Sequence, residues 1–404
     1  MTVCGALVIA LAAFSGPRVH VPTETAVASK ADLAHHPSLT YVYGSTSKVE
    51  QIIGDTDVQT KQPTLNQTQA RYSIRGTDLG YSFEYNGQTV FLFGDTLGNT
   101  GGDVIGYSGS SDPNGPLALD FVTGDDGQYL RIEPPGVPMG GYEVPVSGIA
   151  VNGAMYVAVK SYVTIGQRTD TTVLTKYDDA TKTFHAVRTL SRLPGGHFIT
   201  MTMRLAPEGM PGLPTKEPYV LMFGSGDYRR SNAYLAAVPA ATFESGVGTV
   251  YYAGRGGDGA SWTQDESQAA PIIEHPTIGD ISVTYVPQAG LWVALYDART
   301  PRGIVLRYAQ QPWGPWSEPQ VVFDPETGYG TFIHDPFRKV DDGLAGPTIA
   351  EGRPPERVFG GFYAPYIINR FTEVDGDKIT LQYVMSTWNP YVVVRMKTTL
   401  QLAR

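Results

Sequence analysis

The hydrophobic residues of this chain fall into short alternating runs, and several runs are joined in pairs by a tight turn. The clearest pair is TDLGYSFEYNGQTVFLFGDTLGN, residues 77–99, in which Asn86-Gly87 separates two apolar runs. Asn-Gly predicts a two-residue β-hairpin turn because both central positions favour positive φ. Asp78 opens the first run and Asp95 follows the second. The two acids are either turn residues or they face a common pocket.

The hairpin pattern recurs along the chain. Further hairpins are predicted at Ile149–Val159 around Asn152-Gly153, at 201–224 with a long Pro/Gly-rich loop, at 281–296, and at 366–385 around Asp375-Gly376. The intervals are roughly 50 to 80 residues, and no long segment shows the 3.6-residue apolar period of a helix. The pattern predicts an all-β fold, a five-bladed β-propeller of four-stranded units. A β-sandwich is the main alternative, but it does not explain the recurrence.

Composition is consistent with such a fold and narrows the partners. The 404 residues include 46 Gly and 30 Pro, which suit many short strands joined by turns. The formal net charge of −9 disfavours nucleic acid and an anionic membrane surface as partners. The single cysteine, Cys4, excludes a disulfide scaffold, a cysteine nucleophile in a mature secreted chain and a thiolate zinc site.

The N-terminal part divides into two expected segments before the propeller. Residues 1–30 begin with MTVCGALVIALAAFSG, whose apolar run predicts a signal peptide or an N-terminal anchor, although a positive n-region is missing. A buried strand or helix is the alternative. Residues 31–65 are polar and weakly periodic and are interpreted as an N-terminal extension. Residues 66–404 are then the propeller catalytic domain, and the protein is expected to be secreted or associated with a bacterial cell surface.

Residues that begin the innermost strands of a propeller converge on one axial pocket, however far apart they are in sequence. By this reasoning the five units supply Asp78, Ser147-Gly148 with Glu143 just upstream, His197, Asp280, and the segment Gly360–Tyr366. Two acids beside aromatic residues suit sugar chemistry. Glycosidic cleavage needs one carboxylic acid to protonate the leaving oxygen, and a carboxylate to activate water or attack the anomeric carbon.

Each candidate also has a purely structural interpretation. Asp95 could cap a turn, Asp280 could be a loop residue, and His197 follows a Pro-Gly-Gly turn. Tyr363, Tyr366 and Trp388 could belong to the core. The seven histidines are scattered without a metal-binding spacing, so neither a metal nor a cofactor is predicted, although a calcium-like oxygen cluster at Asp125-Asp126 or Asp341-Asp342 stays open.

Four segments resemble glycoside hydrolase family 183, formerly domain of unknown function 4185, an endo-D-arabinanase family. They are GTDLGYSFEYNGQTVFLFGDT, FGSGDYRRSNAYLA, IGDISVTYVPQAGLWVALY and the C-terminal FYAPYIINRFTEVDGDKITLQYVMSTWNPYVVVRMKTTL. The resemblance covers about Arg71 to Thr399 and implies a five-bladed propeller that hydrolyses D-arabinofuranosyl linkages within arabinan. It also implies a polysaccharide partner, no membrane contact beyond an N-terminal anchor, and a monomer.

The resemblance places Asp78 and Asp95 at the positions of the paired catalytic aspartates. Asp280 is the third catalytic candidate, and it stands where glutamate is expected in many relatives, one methylene longer. Substrate contact is expected from seven residues: His197, Asp227, His334, Tyr363, Tyr366, Trp388 and Asn389. A non-catalytic carbohydrate-binding propeller and a structural or protein-interaction propeller are the competing hypotheses.

Strand counting predicts how the acid pair is arranged. Asp78 lies eight residues before Asn86, and Asp95 lies eight after Gly87, so the two should be nearly opposite across the ladder. Directly opposite residues have Cβ atoms about 5 Å apart. That spacing fits a retaining pair, whereas inverting pairs are about 6.5–9.5 Å apart. A bulge near Gly94 would widen the gap, so the stereochemical course stays open.

Overall fold

The computed structural model describes residues 37–139, 143–162, 170–256, 259–350 and 352–404. The expected signal peptide or anchor, residues 1–30, lies outside the described residues. Twenty-three strands are described. In chain order they are β1 Ser38–Tyr41, β2 Ser47–Gln51, β3 Gly76–Tyr85, β4 Gln88–Leu97, β5 Val104–Ser108, β6 Asp120–Phe121, β7 Val144–Val151, β8 Ala154–Tyr162, β9 Asp170–Asp178, β10 Thr183–Arg192, β11 Thr200–Leu205, β12 Tyr219–Ser225, β13 Ala233–Pro239, β14 Val250–Gly256, β15 Gly259–Thr263, β16 Ile278–Val286, β17 Leu291–Arg299, β18 Arg302–Ala309, β19 Gln320–Phe323, β20 Phe362–Ile367, β21 Glu373–Asp375, β22 Lys378–Trp388 and β23 Tyr391–Ala403.

Helix is scarce in the described part of the chain. The one α-helix there, α1, spans Thr68–Tyr72. Short 3-10 helices lie at Ala240–Thr242, Glu266–Gln268, Pro325–Thr327, Pro355–Arg357 and Asn369–Phe371. None of these described helices is long and apolar enough to cross a membrane.

The strands form five antiparallel sheets arranged as a five-bladed β-propeller, as the sequence predicts. The sheets run β3–β6, β7–β10, β11–β15 and β16–β19, and the last contains β20–β23 together with β1 and β2. Their innermost strands β3, β7, β11, β16 and β20 each contact the next, and β20 contacts β3, so the ring is closed. The third and fifth sheets have more strands than the four expected.

The hairpin turns have the backbone conformation that their sequences predict. Asn86 and Gly87 between β3 and β4 both have positive φ, at 48° and 78°. Asn152 and Gly153 between β7 and β8 repeat this, at 51° and 77°. Because these are primed two-residue turns, the strands on either side continue the right-handed twist of their sheets.

Aromatic side chains form the core between adjacent sheets. Tyr156 of the second sheet packs edge-on against Phe243, which follows the third sheet's β13, with ring centroids 5.2 Å apart. Phe223 of the third sheet packs against Trp292 of the fourth at 5.3 Å. All four rings are almost wholly buried. Burial of this kind supplies the main favourable free energy that holds neighbouring sheets together.

The fifth sheet is completed by strands from the N-terminal segment. Ser38 of β1 pairs with Ala403, and Gln51 of β2 pairs with Val394, so both strands lie along the outer edge of β23. Glu50 of β2 also forms an ion pair of 2.7 Å with the buried Arg395 of β23. The expected extension, residues 31–65, therefore supplies part of the propeller, which begins before residue 66.

A chain that begins at residue 53 lacks both closing strands, and we expect its melting temperature to fall by several degrees. The reason is that β23 becomes an unpaired edge and the buried Arg395 loses its half-buried carboxylate partner, Glu50. Thermal unfolding measures the change, with a chain that begins at residue 37 as the matched control. Equal melting temperatures for the two truncated chains would contradict closure by β1 and β2.

Candidate active site

The acidic and aromatic candidates meet at one end of the ring. Asp78 is the third residue of β3, Asp280 the third of β16, and Tyr363 the second of β20. The Tyr363 hydroxyl donates a hydrogen bond of 2.9 Å to Asp78 Oδ2, and the Tyr366 hydroxyl donates one of 3.4 Å to Asp280 Oδ1. These bonds join the starts of three innermost strands, as the propeller geometry predicts.

Asp78 is a buried carboxyl, and only one of its two oxygens accepts a described hydrogen bond. It is 5% exposed, and its Oδ1 has no hydrogen-bond partner among the described residues. Burial, reinforced by the negative charge of Asp95, raises the pKa of Asp78 to about 7, against the hydrogen bond from Tyr363. A buried polar atom without a partner is rare in native proteins. Oδ1 is inaccessible to solvent, so the site favours a proton on Asp78 over a bare negative charge, although the Tyr391 hydroxyl also approaches this carboxyl and lowers its pKa.

Asp95 does not lie directly opposite Asp78. The partner of Asp78 in the ladder is Gly94, and the register shifts on both sides of Asp78. Asp95 has a left-handed backbone, with φ of 41°, and its N–H donates a 2.9 Å hydrogen bond to Asp103 Oδ1. The bulge and this unusual φ change the direction of the Asp95 side chain relative to a regular strand.

Glycine at position 94 makes room for the acid pair. A Cβ atom at this position would lie 2.8 Å from both Asp78 Oδ1 and Val144 Cγ1. Burial raises the pKa of Asp95 to about 6; Glu143 adds to the rise, and Lys160 opposes it. Burial also raises the pKa of Asp103. The first sheet thus holds three carboxyl groups in a poorly hydrated environment that favours their protonated forms.

Asp280 is held in a second hydrogen-bond network on the other side of the ring. The Tyr228 hydroxyl donates to its Oδ2 at 3.0 Å, and its own N–H donates to Asp297 Oδ1 at 2.8 Å. Arg229 pairs with Asp297 Oδ2 at 2.7 Å. Burial and the charge of Asp297 raise the pKa of Asp280 to about 7.

Lys160 links the two groups of acids electrostatically. It lies on β8, with its Nζ 6.0 Å from the centre of the Tyr228 ring. Its positive charge opposes the rise in the pKa of each of Asp78, Asp95 and Asp280. One cation therefore offsets part of the repulsion among three acids that come from two different sheets.

Several aromatic side chains lie beside Asp78. The rings of Tyr363 and Trp388 are 6.3 Å apart, and Trp388 packs edge-on against Tyr391 at 5.8 Å. Tyr363 and Trp388 are partly exposed, whereas Tyr391 is buried. Tyr366 is also buried, with its ring against Tyr81. Of the tyrosines and tryptophan expected to contact substrate, Tyr363 and Trp388 thus have surface at the site, and Tyr366 positions Asp280.

Two of the expected substrate contacts are instead structural. His334 is fully buried, and its ring nitrogens lie 2.7 Å from Asp342 Oδ1 and 3.0 Å from the Glu356 carbonyl. Asn389 is also fully buried, and its amide donates to the Val358 carbonyl at 2.6 Å. Both side chains hold the long connection before β20 in place. Their polar atoms are used in this structural role and not in the expected contact with substrate.

The remaining two candidates, His197 and Asp227, make other contacts. His197 stacks on Tyr234 with ring centroids 3.9 Å apart, and its N–H donates to Glu266. Asp227 lies 3.8 Å from Arg230 in an ion pair. Within the described residues, no group of three or more His, Cys, Asp or Glu side chains is arranged to hold a metal ion.

Comparison with known proteins places the chain in a family. The family model described as "Domain of unknown function (DUF4185)" matches residues 64–397. The chain belongs to this family. The DUF4185 chain is also similar to the notoamide biosynthesis cluster protein J of Aspergillus sp. (strain MF297-2), with 25% identity over 314 residues, 65% of this chain and 76% of that protein.

Solved structures that resemble the DUF4185 chain do so distantly. A GH43_1 enzyme from Xanthomonas citri has a TM-score of 0.44 at 10% identity, covering 80% of this chain and 87% of that one. An exo-β-1,3-galactanase from Phanerochaete chrysosporium has a TM-score of 0.42 at 8% identity, covering 87% and 64%. Likenesses this low carry no argument about activity.

Sequence reasoning missed Lys160, Asp103 and Asp297 of this DUF4185 protein. Asp95, Lys160, Asp297 and Trp388 all lie near the end of the second strand of their sheets. In an up-and-down sheet the second strand returns to the end where the first begins. Its last residues therefore reach the end of the ring at which Asp78 and Asp280 lie, which we call the mouth. Charged residues at the ends of second strands were the signal that could have found Lys160 and Asp297. Asp103 precedes β5 and carries no comparable signal.

We expect Asp78→Asn to stabilise the protein at pH 8, although it is a buried polar substitution. The folded-state pKa of about 7 is above the ordinary aspartate value, so the folded state binds more protons and stability falls as pH rises from about 4 to about 7. Removing the ionised group at pH 8 raises the free energy of unfolding by at most about 4 kcal/mol, since the pKa of Asp78 lies about three units above its ordinary value. Near pH 4, where Asp78 is protonated in the folded protein, the variant and the wild type should be equally stable.

Thermal unfolding of the wild type and of Asp78→Asn at several pH values measures this difference. Asp375→Asn, at the exposed last residue of β21, is the matched control and should show no pH-dependent gap. A lower melting temperature for Asp78→Asn at pH 8 would support the turn-cap interpretation instead.

Proposed function

We propose that the protein is a secreted glycoside hydrolase that cleaves D-arabinofuranosyl linkages within arabinan chains, such as those of arabinogalactan and lipoarabinomannan. Asp78 and Asp95 are its carboxylate pair. The observation that carries the proposal is the buried Asp78 carboxyl at the start of an innermost strand, close enough to Asp95 that the charge of Asp95 raises the pKa of Asp78.

The two acids have different environments, and this difference assigns their roles. Asp78 is buried whereas Asp95 is only half-buried, and the charge of Asp95 raises the pKa of Asp78, so Asp78 keeps the proton while Asp95 is ionised. Asp78 protonates the leaving glycosidic oxygen, and the Tyr363 hydroxyl, which donates to Oδ2, holds the carboxyl in position. Asp95 either activates a water molecule or attacks the anomeric carbon. The anomeric configuration of the first product distinguishes these two courses.

Neighbouring residues support the pair without exchanging protons themselves. Asp103 fixes the backbone of Asp95 through the 2.9 Å hydrogen bond, which keeps that carboxylate at one position relative to the substrate. Lys160 limits the rise in pKa, so Asp95 can ionise near neutral pH. Tyr363 and Trp388 offer partly exposed aromatic faces against which a sugar ring packs. Asp280, with its own tyrosine partners, forms the opposite wall of the mouth.

The choice of D-arabinan as the substrate rests on the motifs that resemble glycoside hydrolase family 183. The segment 76–96 supplies both Asp78 and Asp95, the segment around Asp280 supplies the opposite wall, and the segment 362–399 supplies Tyr363 and Trp388. The segment 223–236 supplies Tyr228, which donates to Asp280, so all four resembling segments reach the same mouth.

We expect the wild type to release oligosaccharides from purified arabinogalactan, and Asp78→Asn and Asp95→Asn each to reduce that release by about 10²- to 10⁴-fold. This is the range that a positioned acid or base ordinarily contributes. Chromatography of the products measures release, and Asp375→Asn serves as the control with unchanged activity.

Full activity of both single variants would contradict the proposal. Saturable binding of arabinan to the wild type without new reducing ends would favour the non-catalytic carbohydrate-binding alternative.

We also expect kcat/KM on arabinan to follow a bell-shaped pH profile with its maximum between about 6 and 7. Below about pH 6 Asp95 takes up a proton and ceases to be a base or nucleophile, and above about pH 7 Asp78 loses the proton that it must donate. Initial rates from pH 4 to 9 measure the profile. A rate that rises steadily to pH 9 would contradict these assignments.

A further inference from the structure

A cavity lies between the first and second sheets, away from the acids of the candidate active site. Its volume is about 310 Å³, and Tyr85, Tyr107 and Tyr177 are among its lining residues. Small-molecule sites in proteins typically have volumes of about 300–1,000 Å³. The cavity is therefore large enough for a small ligand or for one segment of a larger one.

The cavity is separated from the candidate active site by the length of an innermost strand. Tyr85 is the last residue of β3, and Asp78 lies seven residues earlier on the same strand. At about 3.3 Å per residue this places them about 23 Å apart, at opposite ends of the ring. A ligand in this cavity makes no contact with the acid pair, so the cavity is not a subsite for the bond being cleaved.

The charged groups of the cavity are already engaged. The Tyr85 hydroxyl donates a hydrogen bond to Asp179, and Lys182 Nζ donates to the Thr123 carbonyl at 3.1 Å. Asp179 and Lys182 both lie in the turn between β9 and β10, so their opposite charges also offset each other. The cavity consequently offers no net charge for selecting an anion or a cation.

Aromatic, aliphatic and polar side chains line the rest of the cavity. Tyr107 is partly exposed and makes no ring contact with any other described residue, and Gln88 is exposed beside it on the neighbouring strand β4. Flat apolar faces beside hydrogen-bonding groups, with no net charge, match the two kinds of surface on a neutral sugar: apolar C–H faces and an edge of hydroxyl groups.

We propose that this cavity binds a neutral sugar unit of a polysaccharide chain and holds the polymer while another part of it lies at the acids. That the sugar is D-arabinofuranose rests on the proposed function; the neutral-sugar chemistry does not. Because the two sites are about 23 Å apart, only long chains reach both. The cavity therefore strengthens binding of polymer, by raising the effective concentration of chain near the mouth, and does not change how a short oligosaccharide binds at the acids.

Calorimetry with a short D-arabinofuranosyl oligosaccharide tests the site without relying on catalysis. In Asp78→Asn, which keeps the ligand intact, we expect two bound ligands per chain. Adding Tyr107→Ala should weaken binding in the cavity at least tenfold, so that one bound ligand is measured. Tyr107→Phe in its place should keep two bound ligands because it keeps the aromatic face. Unchanged stoichiometry and affinity in Tyr107→Ala, or no binding sensitive to position 107, would overturn the proposal.

Kinetics separates this proposal from the proposed hydrolase function. With catalytically intact chains, Tyr107→Ala should raise KM for arabinogalactan several-fold and leave kcat/KM for a tetrasaccharide unchanged. If the wild type cleaves nothing while Tyr107→Ala still removes a bound ligand, the hydrolase function fails and the second site stands. If cleavage occurs and Tyr107→Ala changes neither binding nor KM for polymer, the second site fails and the hydrolase function stands.

Discussion

Contact among the five innermost strands in a closed ring is the constraint on which the rest of the structure depends. The ring brings the starts of β3, β16 and β20 to one mouth, although they are spread over almost three hundred positions in sequence. The N-terminal strands β1 and β2 complete the fifth sheet by pairing with the C-terminal β23. The two ends of the described chain therefore meet in one sheet, which keeps the ring from opening at the junction.

The mouth of this ring is costly for stability. Asp78, Asp103 and Asp280 are nearly inaccessible to water, and burial raises the pKa of each. Leu79 and Asp95 both have left-handed backbones, at φ of 61° and 41°. Such strain and charge burial persist only where the surrounding structure enforces them, and functional sites are where they concentrate. A stretch that served only as a turn cap has no need of two buried carboxyl groups, Asp78 and Asp103, around a third that is half-buried.

The sequence was sufficient for the fold because the relevant signals are local. Asn86-Gly87 and Asn152-Gly153 specify turns through their own backbone preferences, and the recurrence of such hairpins predicts the sheet count. The extra strands of the third and fifth sheets were not predictable in this way, since β1 and β2 are short and polar and gain their conformation from pairing with β23. Their position depends on a contact across the whole length of the chain.

The site was predicted in part, for a similar reason. Asp78, Asp280 and Tyr363 follow from strand starts, which periodicity locates. The bulge that offsets Asp95 from Asp78 was an open alternative, because counting residues from the turn does not include how Gly94 and Asp103 pack around Asp95. His334 and Asn389 look reactive in sequence, but tertiary hydrogen bonds use their polar atoms. Polar residue type alone does not separate a ligand contact from a structural bond.

The most direct test of the central claim is a carboxyl-carbon NMR titration of the aspartates, assigned with Asp78→Asn and Asp95→Asn. Burial at the mouth of the ring predicts two carboxyl groups that titrate near pH 7 and pH 6, with Asp78 the higher of the two. Loss of either group should also shift the titration of the other. Two independent titrations near the ordinary aspartate value of about 4 would contradict the account.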